Sequence, residues 1–141
     1  MLRLYNLIAD NPRKYVLRPL IFYWALIFIL TTIPGSMLVH TIKLSDKIEH
    51  ILAYFGLAFL LSFAVRFFRE KYFILSRVFI TLGIAFAYGA FDELHQMLIP
   101  KRQADFLDLM ADTLGAILGI LIAELIIYLG DSRRKKNNRI V

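Results

Sequence analysis

The sequence predicts an all-α protein, a bundle of four transmembrane helices with a short interfacial helix at its N-terminus. Apolar residues make up 59% of the 141 residues, a larger share than ordinary soluble domains contain. Four apolar runs each approach the roughly 20 residues that a helix needs to cross a bilayer. Most of the 17 lysines and arginines lie in the flanks of these runs, where anionic lipid headgroups attract them.

Length and composition limit the classes of protein to which the chain can belong. A chain of this length predicts one membrane domain over residues 1–141, with a basic cytoplasmic tail at 131–141. The absence of cysteine excludes disulfides, thiolate metal sites and a cysteine nucleophile. The net charge of +6 would suit nucleic acid, but its location beside apolar runs predicts the lipid bilayer as the partner, and no nucleic acid.

The N-terminal part predicts a short interfacial helix and then the first span. The interfacial helix should end near residues 10–12, because three apolar residues share one of its faces: Leu4, Leu7 and Ile8. The first span covers about residues 17–33 and stops at Pro34-Gly35. An uncleaved anchor is favoured over a cleaved signal peptide, because the preceding region is long and no A-x-A site follows.

The other spans are predicted at about residues 48–68, 73–91 and 107–130. Small residues four apart form a ridge on the fourth helix, and such ridges let helix backbones approach closely in lipid: Ala111, Gly115, Gly119 and Ala123. The third helix offers two alternatives of the same kind, Gly83 with Ala87 or Ala85 with Gly89.

The positive charges predict the orientation of the four spans. Thirteen of the 17 basic residues lie in the N-terminal flank, the middle connection and the tail, whereas the other two connections contain only Lys43, Lys47, Lys101 and Arg102. Because cytoplasmic loops carry the excess of lysine and arginine, both termini should be cytoplasmic in the cell inner membrane. The polar ends of the second, third and fourth spans should then face outward.

The second span opens with a polar cluster of Asp46, Glu49, His50 and Tyr54, of which Asp46, His50 and Tyr54 are candidate binding residues. Asp46 as a helix N-cap, with Glu49 completing a capping box, is one interpretation. His50 and Tyr54 continue the face of Asp46 one and two turns deeper, so a functional role for these residues stays equally open.

The third and fourth spans carry the other two clusters. Asp92, His95 and Gln96 share an arc of about 100° with Glu93 beside it, at a helix end where the dipole disfavours anions. Asp105, Asp108 and Asp112 lie within about 60° of each other, above the glycine face. Solvation at a helix start would account for the first two aspartates but not for Asp112, which lies deeper.

Compensating cations are expected at both ends. Arg102 is the nearest basic residue to the clusters of the third and fourth spans, so we expect it to approach one of their carboxylates directly or through one water, whereas Arg66 should stand in a solvated flank. Glu124 points about 140° away from the aspartate face and is predicted to be structural, paired with Arg77 or extended towards the interface.

These motifs resemble the VanZ-like family of small bacterial integral membrane proteins over roughly residues 20–128. The resemblance rests on Asp46-Lys47-Ile48-Glu49-His50 with Ala53-Tyr54, Asp92-Glu93-Leu94-His95-Gln96, Pro100-Lys101-Arg102 and Asp108-Leu109-Met110-Ala111-Asp112-Thr113-Leu114-Gly115. Lys101 stands where the family often has glycine, and Asp112 where many members have asparagine. The resemblance implies a multi-pass membrane protein linked to glycopeptide resistance of the teicoplanin type, and it implies no defined reaction.

Two functions follow from the clusters. The first is an outward-facing polar pocket that recognises or modifies a lipid-linked or cell-envelope headgroup, such as a cell-wall precursor. Arg102 would bind phosphate or carboxylate there, and the binding candidates are Asp46, His50, Tyr54, Gln96, Arg102 and Asp112. The alternative is an intramembrane hydrolase or transferase with the catalytic candidates His50, Asp92, Glu93, His95 and Asp108. In that enzyme His50 and His95 could share a divalent metal with the carboxylates, or a histidine could act as general base.

Overall fold

The structure, a computed structural model, describes residues 2–34, 43–69 and 71–137, and within these ranges it is helical with no strand. The five helices are α1 (Leu2–Asp10), α2 (Arg18–Thr31), α3 (Lys43–Phe68), α4 (Ile74–Gln96) and α5 (Phe106–Asn137). A π-helical segment, Arg13–Leu17, precedes α2 directly. The all-α fold class is therefore confirmed.

Within the described residues, four stretches are long and apolar enough to cross a membrane: Arg13–Thr31, Asp46–Phe68, Ile74–Gln96 and Phe106–Asn137. Large apolar side chains on their outer faces are exposed, among them Phe22, Phe79 and Leu121. Such faces are suited to lipid, which solvates them as water cannot. The chain thus has the four-helix character of a multi-pass membrane protein.

Three helix ends differ from the predicted ones. α3 begins earlier than residue 48, α4 continues past residue 91, and α5 extends through part of the basic tail. The apolar run marks the part of a helix that suits lipid, whereas the helix itself continues for as long as its polar residues find partners. Gly35, Arg139 and the Lys43 side chain, on which other predictions depend, lie outside the described residues.

α3 and α5 form the closest helix pair, through the predicted glycine ridge. A Cβ atom at Gly115 would collide with the backbone carbonyl of Ile51, and one at Gly119 with the carbonyl of Phe55. The prediction that this face of α5 packs against another helix is confirmed, with α3 as the partner. On α4 the structure selects Ala85 and Gly89, which are buried, since Gly83 has open space around it.

Two apolar clusters fill the bundle. The larger one includes Tyr54, Leu57 and Ile127, which are almost completely buried. The second joins α3, α4 and α5 through Ala58, Ala85, Ala116 and Ile120. α2 packs mainly on α3 and has few contacts with α4, so it is the most peripheral of the four membrane-length helices.

Asp131, near the end of α5, accepts hydrogen bonds from α1 and from α3. The Tyr5 hydroxyl donates to Asp131 Oδ1 at 2.6 Å, and Arg66 donates to Asp131 Oδ2 from Nε at 3.0 Å and Nη2 at 2.8 Å. Burial and this hydrogen bond raise the pKa of the Tyr5 phenol above its ordinary value. The expectation that Arg66 stands free in a solvated flank is therefore wrong, because Asp131 on α5 holds it.

A second ion pair joins α4 to α5 in the half of the bundle near α1. Arg77 donates to Glu124 from Nη2 to Oε2 at 2.5 Å and from Nε to Oε1 at 3.2 Å, with both side chains largely buried. The predicted pairing of Glu124 with Arg77 is confirmed, and it is a structural contact between helices.

Candidate functional site

The polar ends of α3, α4 and α5 meet at the end of the bundle opposite α1. His50 Nδ1 on α3 lies 2.8 Å from Asp112 Oδ1 on α5. Glu93 Oε2 on α4 accepts a hydrogen bond of 2.7 Å from the backbone N–H of Asp105, just before α5. The three clusters that the sequence placed on separate helices are thus in direct contact.

Lys47 forms ion pairs with the aspartates at the start of α5. Its ammonium group is 2.8 Å from Asp105 Oδ2, forms an ion pair with Asp108, and is 3.7 Å from Asp46. Sequence reasoning missed Lys47 as a site residue. Its position three residues before His50 was the available signal, because residues three apart share a helix face.

Asp105 and Asp46 both lie near the start of a helix, but only Asp105 is an N-cap. Asp105 caps α5, since its Oδ1 accepts the N–H of Leu107 at 2.9 Å. The hydrogen bond from Lys47, with that from the Leu107 backbone, lowers the pKa of the Asp105 carboxyl below its ordinary value. The interpretation of Asp46 as the N-cap of the second span is wrong, because α3 begins at Lys43 and Asp46 lies inside its first turn.

Asp112 is the most deeply placed of the acidic residues on α5. It is 1% exposed, and its Oδ2 has no hydrogen-bond partner among the described residues. A Cβ atom at Gly89 of α4 would lie 3.1 Å from that oxygen, so the glycine provides the space that Asp112 occupies. Its contact with His50 and its burial argue against the solvated helix start.

Among the described residues Arg102 forms no ion pair with a carboxylate, and it approaches Asp92 only through the side chain of Gln96. Its Nη1 donates to Gln96 Oε1 at 3.2 Å, and Gln96 Nε2 donates to Asp92 Oδ2 at 3.2 Å. Arg102 also donates to the carbonyl oxygens of Ile33 at 3.1 Å and Leu30 at 3.4 Å. Because α5 acids already have Lys47, the guanidinium instead holds the C-terminal end of α2 and reaches Asp92 through an amide.

His95 lies apart from the cluster around His50. Its ring stacks on Phe28 of α2, with centroids 5.0 Å apart, and on Phe91, with centroids 6.1 Å apart. The described residues form two groups with metal-ligand spacing, Asp46 with His50 and Asp108, and His50 with Glu93 and Asp112. Neither contains His95, so the expected metal site with two histidines is not formed in these groups.

A cavity of about 180 Å³ opens between α2 and the polar ends of α3 and α4. Its polar wall includes Asp46, Glu49, His50, Asp92 and Arg102, and its apolar wall includes Ile27 and Leu30 of α2. Tyr54 closes the inner end; it is 1% exposed, and its hydroxyl has no hydrogen-bond partner among the described residues. The cavity therefore combines charged groups on one side with hydrocarbon on the other.

The comparisons with known proteins identify the family of the chain. No curated protein and no solved structure matches the chain. The model of the family described as VanZ/LLP1 matches residues 6–127, which contain α2, α3, α4 and all the residues of the polar end. Since the match covers most of the chain, the protein belongs to the VanZ/LLP1 family.

Proposed function

We propose that the polar end of the bundle recognises the headgroup of a lipid-linked or other cell-envelope molecule. The observation that carries the proposal is the two-sided cavity, with acids, His50 and Arg102 on one wall and α2 hydrocarbon on the other. An amphiphile in the membrane presents a polar headgroup and an apolar tail in the same arrangement. The headgroup would lie against α3 and α4, and the first part of the tail against α2.

The charges of the cavity favour a headgroup that carries both signs. Arg102 uses three of its N–H groups on Gln96 and two backbone carbonyls, which leaves two of its five donors for a phosphate or carboxylate. Asp92 keeps one oxygen, Oδ1, without a hydrogen-bond partner among the described residues. That oxygen and Glu49 would bind hydroxyl or ammonium groups.

The size of the cavity limits what it can enclose. Pockets for drug-sized molecules measure roughly 300–1,000 Å³, and this one measures about 180 Å³. It would enclose a phosphate with the adjoining part of a sugar or amino group, while the rest of a cell-wall precursor remained outside.

Recognition at this end also requires an orientation, and we propose that it faces outward with both termini cytoplasmic. The supporting argument is the concentration of basic residues at the opposite end. Because the chain lacks cysteine, single cysteines at positions 71, 101 and 132 report the topology. A membrane-impermeant maleimide should label Lys101→Cys in intact cells and the other two only after permeabilisation, and the reverse pattern would refute the orientation.

The binding proposal is tested with the purified protein in detergent and a polyprenyl-diphosphate-linked sugar as the probe. Asp92→Asn and Glu49→Gln preserve side-chain size and should each weaken binding by about 10–100-fold, because a hydrogen bond to a charged group is worth roughly 1.5–3 kcal/mol. Arg69→Gln, at an exposed position at the other end, is the control and should bind as the wild type does. Equal affinity in all four proteins would refute the proposal.

The second candidate is an intramembrane hydrolase or transferase that uses the same cluster. One contact favours it, the 2.8 Å approach of His50 to the buried Asp112, since a carboxylate that orients a histidine is the usual arrangement for a general base. Cleavage of the same probe, followed by release of sugar or phosphate, would identify this function. Loss of that cleavage in Asp112→Asn with unchanged probe binding would separate catalysis from recognition.

A further inference from the structure

We propose that His50, Glu93 and Asp112 form a binding site for one divalent metal ion where α3, α4 and α5 meet. Each residue offers one ligand atom, and these atoms lie within 4.8 Å of one another. Metal–nitrogen and metal–oxygen bonds of about 2.0–2.2 Å bring ligand atoms to within about 4 Å of each other. Changes of side-chain rotamer, without movement of a helix, would therefore bring the three ligand atoms to coordination distance.

Unpartnered oxygens provide the second observation. Glu93 Oε1 and Asp112 Oδ2 have no hydrogen-bond partner among the described residues, and the two residues are 6% and 1% exposed. An unsatisfied carboxylate oxygen in an apolar interior is costly. A bound cation would satisfy both oxygens at once.

The distribution of cations points to the same three residues. Lys47 lies on Asp105 and Asp108, so the other group with metal-ligand spacing, Asp46 with His50 and Asp108, already has a positive charge beside it. In the contacts of the described residues, Glu93 accepts only a backbone N–H and Asp112 meets only His50. The acidic charge that remains between α4 and α5 matches a dication.

The donor set selects the class of metal. One imidazole nitrogen and two carboxylate oxygens suit Mn²⁺ or Zn²⁺ better than Ca²⁺ or Mg²⁺, which prefer oxygen ligands alone. Three protein ligands leave coordination positions for water or for a bound molecule. His50 also lines the cavity, so the metal would lie beside it. The metal site stands on its own contacts and does not depend on headgroup recognition.

The experiment uses the full-length protein in detergent, freed of metal with a chelator and titrated with Mn²⁺ under electron paramagnetic resonance. We expect one saturable Mn²⁺ per chain. Glu93→Gln and Asp112→Asn keep side-chain volume and should weaken binding by about 100-fold or more, since loss of even an outer-shell partner costs about 10–100-fold. The control is Asp105→Asn, because Asp105 forms an ion pair with Lys47 and is not one of the three ligands. This variant should bind Mn²⁺ with the affinity of the wild type.

A measurement on the wild type alone keeps the test decisive if a variant fails to fold. Bound Mn²⁺ should show electron spin echo modulation from one imidazole nitrogen, and the coupling should change in the expected isotopic ratio when histidine is labelled with ¹⁵N. The absence of saturable binding, the absence of nitrogen coupling, or undiminished binding in folded Glu93→Gln and Asp112→Asn would each overturn the proposal. None of these results depends on whether a lipid-linked headgroup binds.

Discussion

The α3–α5 contact at Gly119 should tolerate no side chain. Gly83, which lies inside another long helix, provides a matched control position. In Gly119→Ala the added methyl group would meet the Phe55 carbonyl more closely than Cβ atoms approach oxygen in proteins, with the Phe59 nitrogen 3.1 Å away. In Gly83→Ala the same methyl group would meet nothing within 4 Å. Both glycines lie inside long helices, so the two substitutions differ mainly in what surrounds them.

The expected magnitude follows from these distances. To restore ordinary contact distances near 3.5 Å, α3 and α5 would have to separate by about 1 Å, a gap that forfeits a quarter to a half of each dispersion contact. Overpacking of this kind costs about 1–3 kcal/mol. Gly83→Ala should instead gain up to about 1 kcal/mol from helix propensity. The two variants should thus differ in free energy of unfolding by about 1–4 kcal/mol.

Thermal unfolding in detergent, followed by the fluorescence of the single tryptophan, Trp24, measures the difference. For a chain of this length we expect the two midpoints to differ by roughly 3–16 °C. Gly119→Leu should be at least as destabilised as Gly119→Ala. Equal midpoints for Gly119→Ala and Gly83→Ala would mean that the helices do not meet at this glycine, and the convergence of the polar clusters above it would lose its support.

Three further substitutions test the polar contacts. Arg102→Ala should lower the free energy of unfolding by about 1–3 kcal/mol, because three acceptors lose a charged donor. Arg69→Ala, at an exposed position, should change it by less than about 0.5 kcal/mol. Chemical unfolding in detergent measures both, and equal effects would contradict the hydrogen bonds from Arg102 to the end of α2. Glu124→Ala should cost about 3–5 kcal/mol by leaving Arg77 buried and unpaired, whereas replacing both residues by methionine should recover most of the loss in the same assay. Because the pKa of Asp105 is lowered in the folded protein, its contribution to stability is full above the ordinary value of 3.8 and is lost as the pH falls below it. Asp105→Asn should flatten the decline of the melting temperature between about pH 4 and pH 2, and an unchanged decline would assign acid sensitivity to other groups.

The helices, and the face of α5 that packs against another helix, could be predicted from the sequence, whereas α3 as the partner could not. Apolar runs of membrane length predict spans, and small residues four apart predict a close helix contact. Gly115, Gly119 and Asp112 lie on one side of α5, so the packing of the glycines against α3 carries Asp112 to His50. Helical periodicity therefore predicted which side of α5 carries Asp112, and the packing of that side on α3 explains its contact with His50.

The pairing of charges could not be predicted in the same way. Periodicity gives the direction of a side chain from its own helix, but the choice between Lys47 and Arg102 depends on how far α3 and the α4–α5 connection lie from the acids. Arg66 was misjudged for the same reason, since Asp131 reaches it from a helix end that the apolar pattern placed outside the span. His95 shares an arc with Asp92, yet its longer ring extends to Phe28 of α2.

The distribution of these contacts bears on how a headgroup could enter the cavity. In lipid, burial of apolar surface does not hold helices together, so close backbone contacts and polar pairs do. α3, α4 and α5 have both, through the glycines of α5, the pair of Arg77 with Glu124 and the acidic cluster with Lys47. About 17% of the apolar part of Arg13–Thr31 is buried, against 22% for α4 and 50% for the α3 span. A hydrogen bond of 3.1 Å from Tyr23 to the Ala53 carbonyl, ring contacts of Trp24 and Phe28 with α4, and the hydrogen bonds from Arg102 hold α2 in place. Of the four membrane-length helices in the described part of the chain, α2, which forms the apolar wall of the cavity, thus has the fewest contacts with the others. If the cavity binds a headgroup as proposed, an anion that competes for Arg102 would weaken the hydrogen bonds from Arg102 to the end of α2, and we expect such a headgroup to enter between α2 and α3.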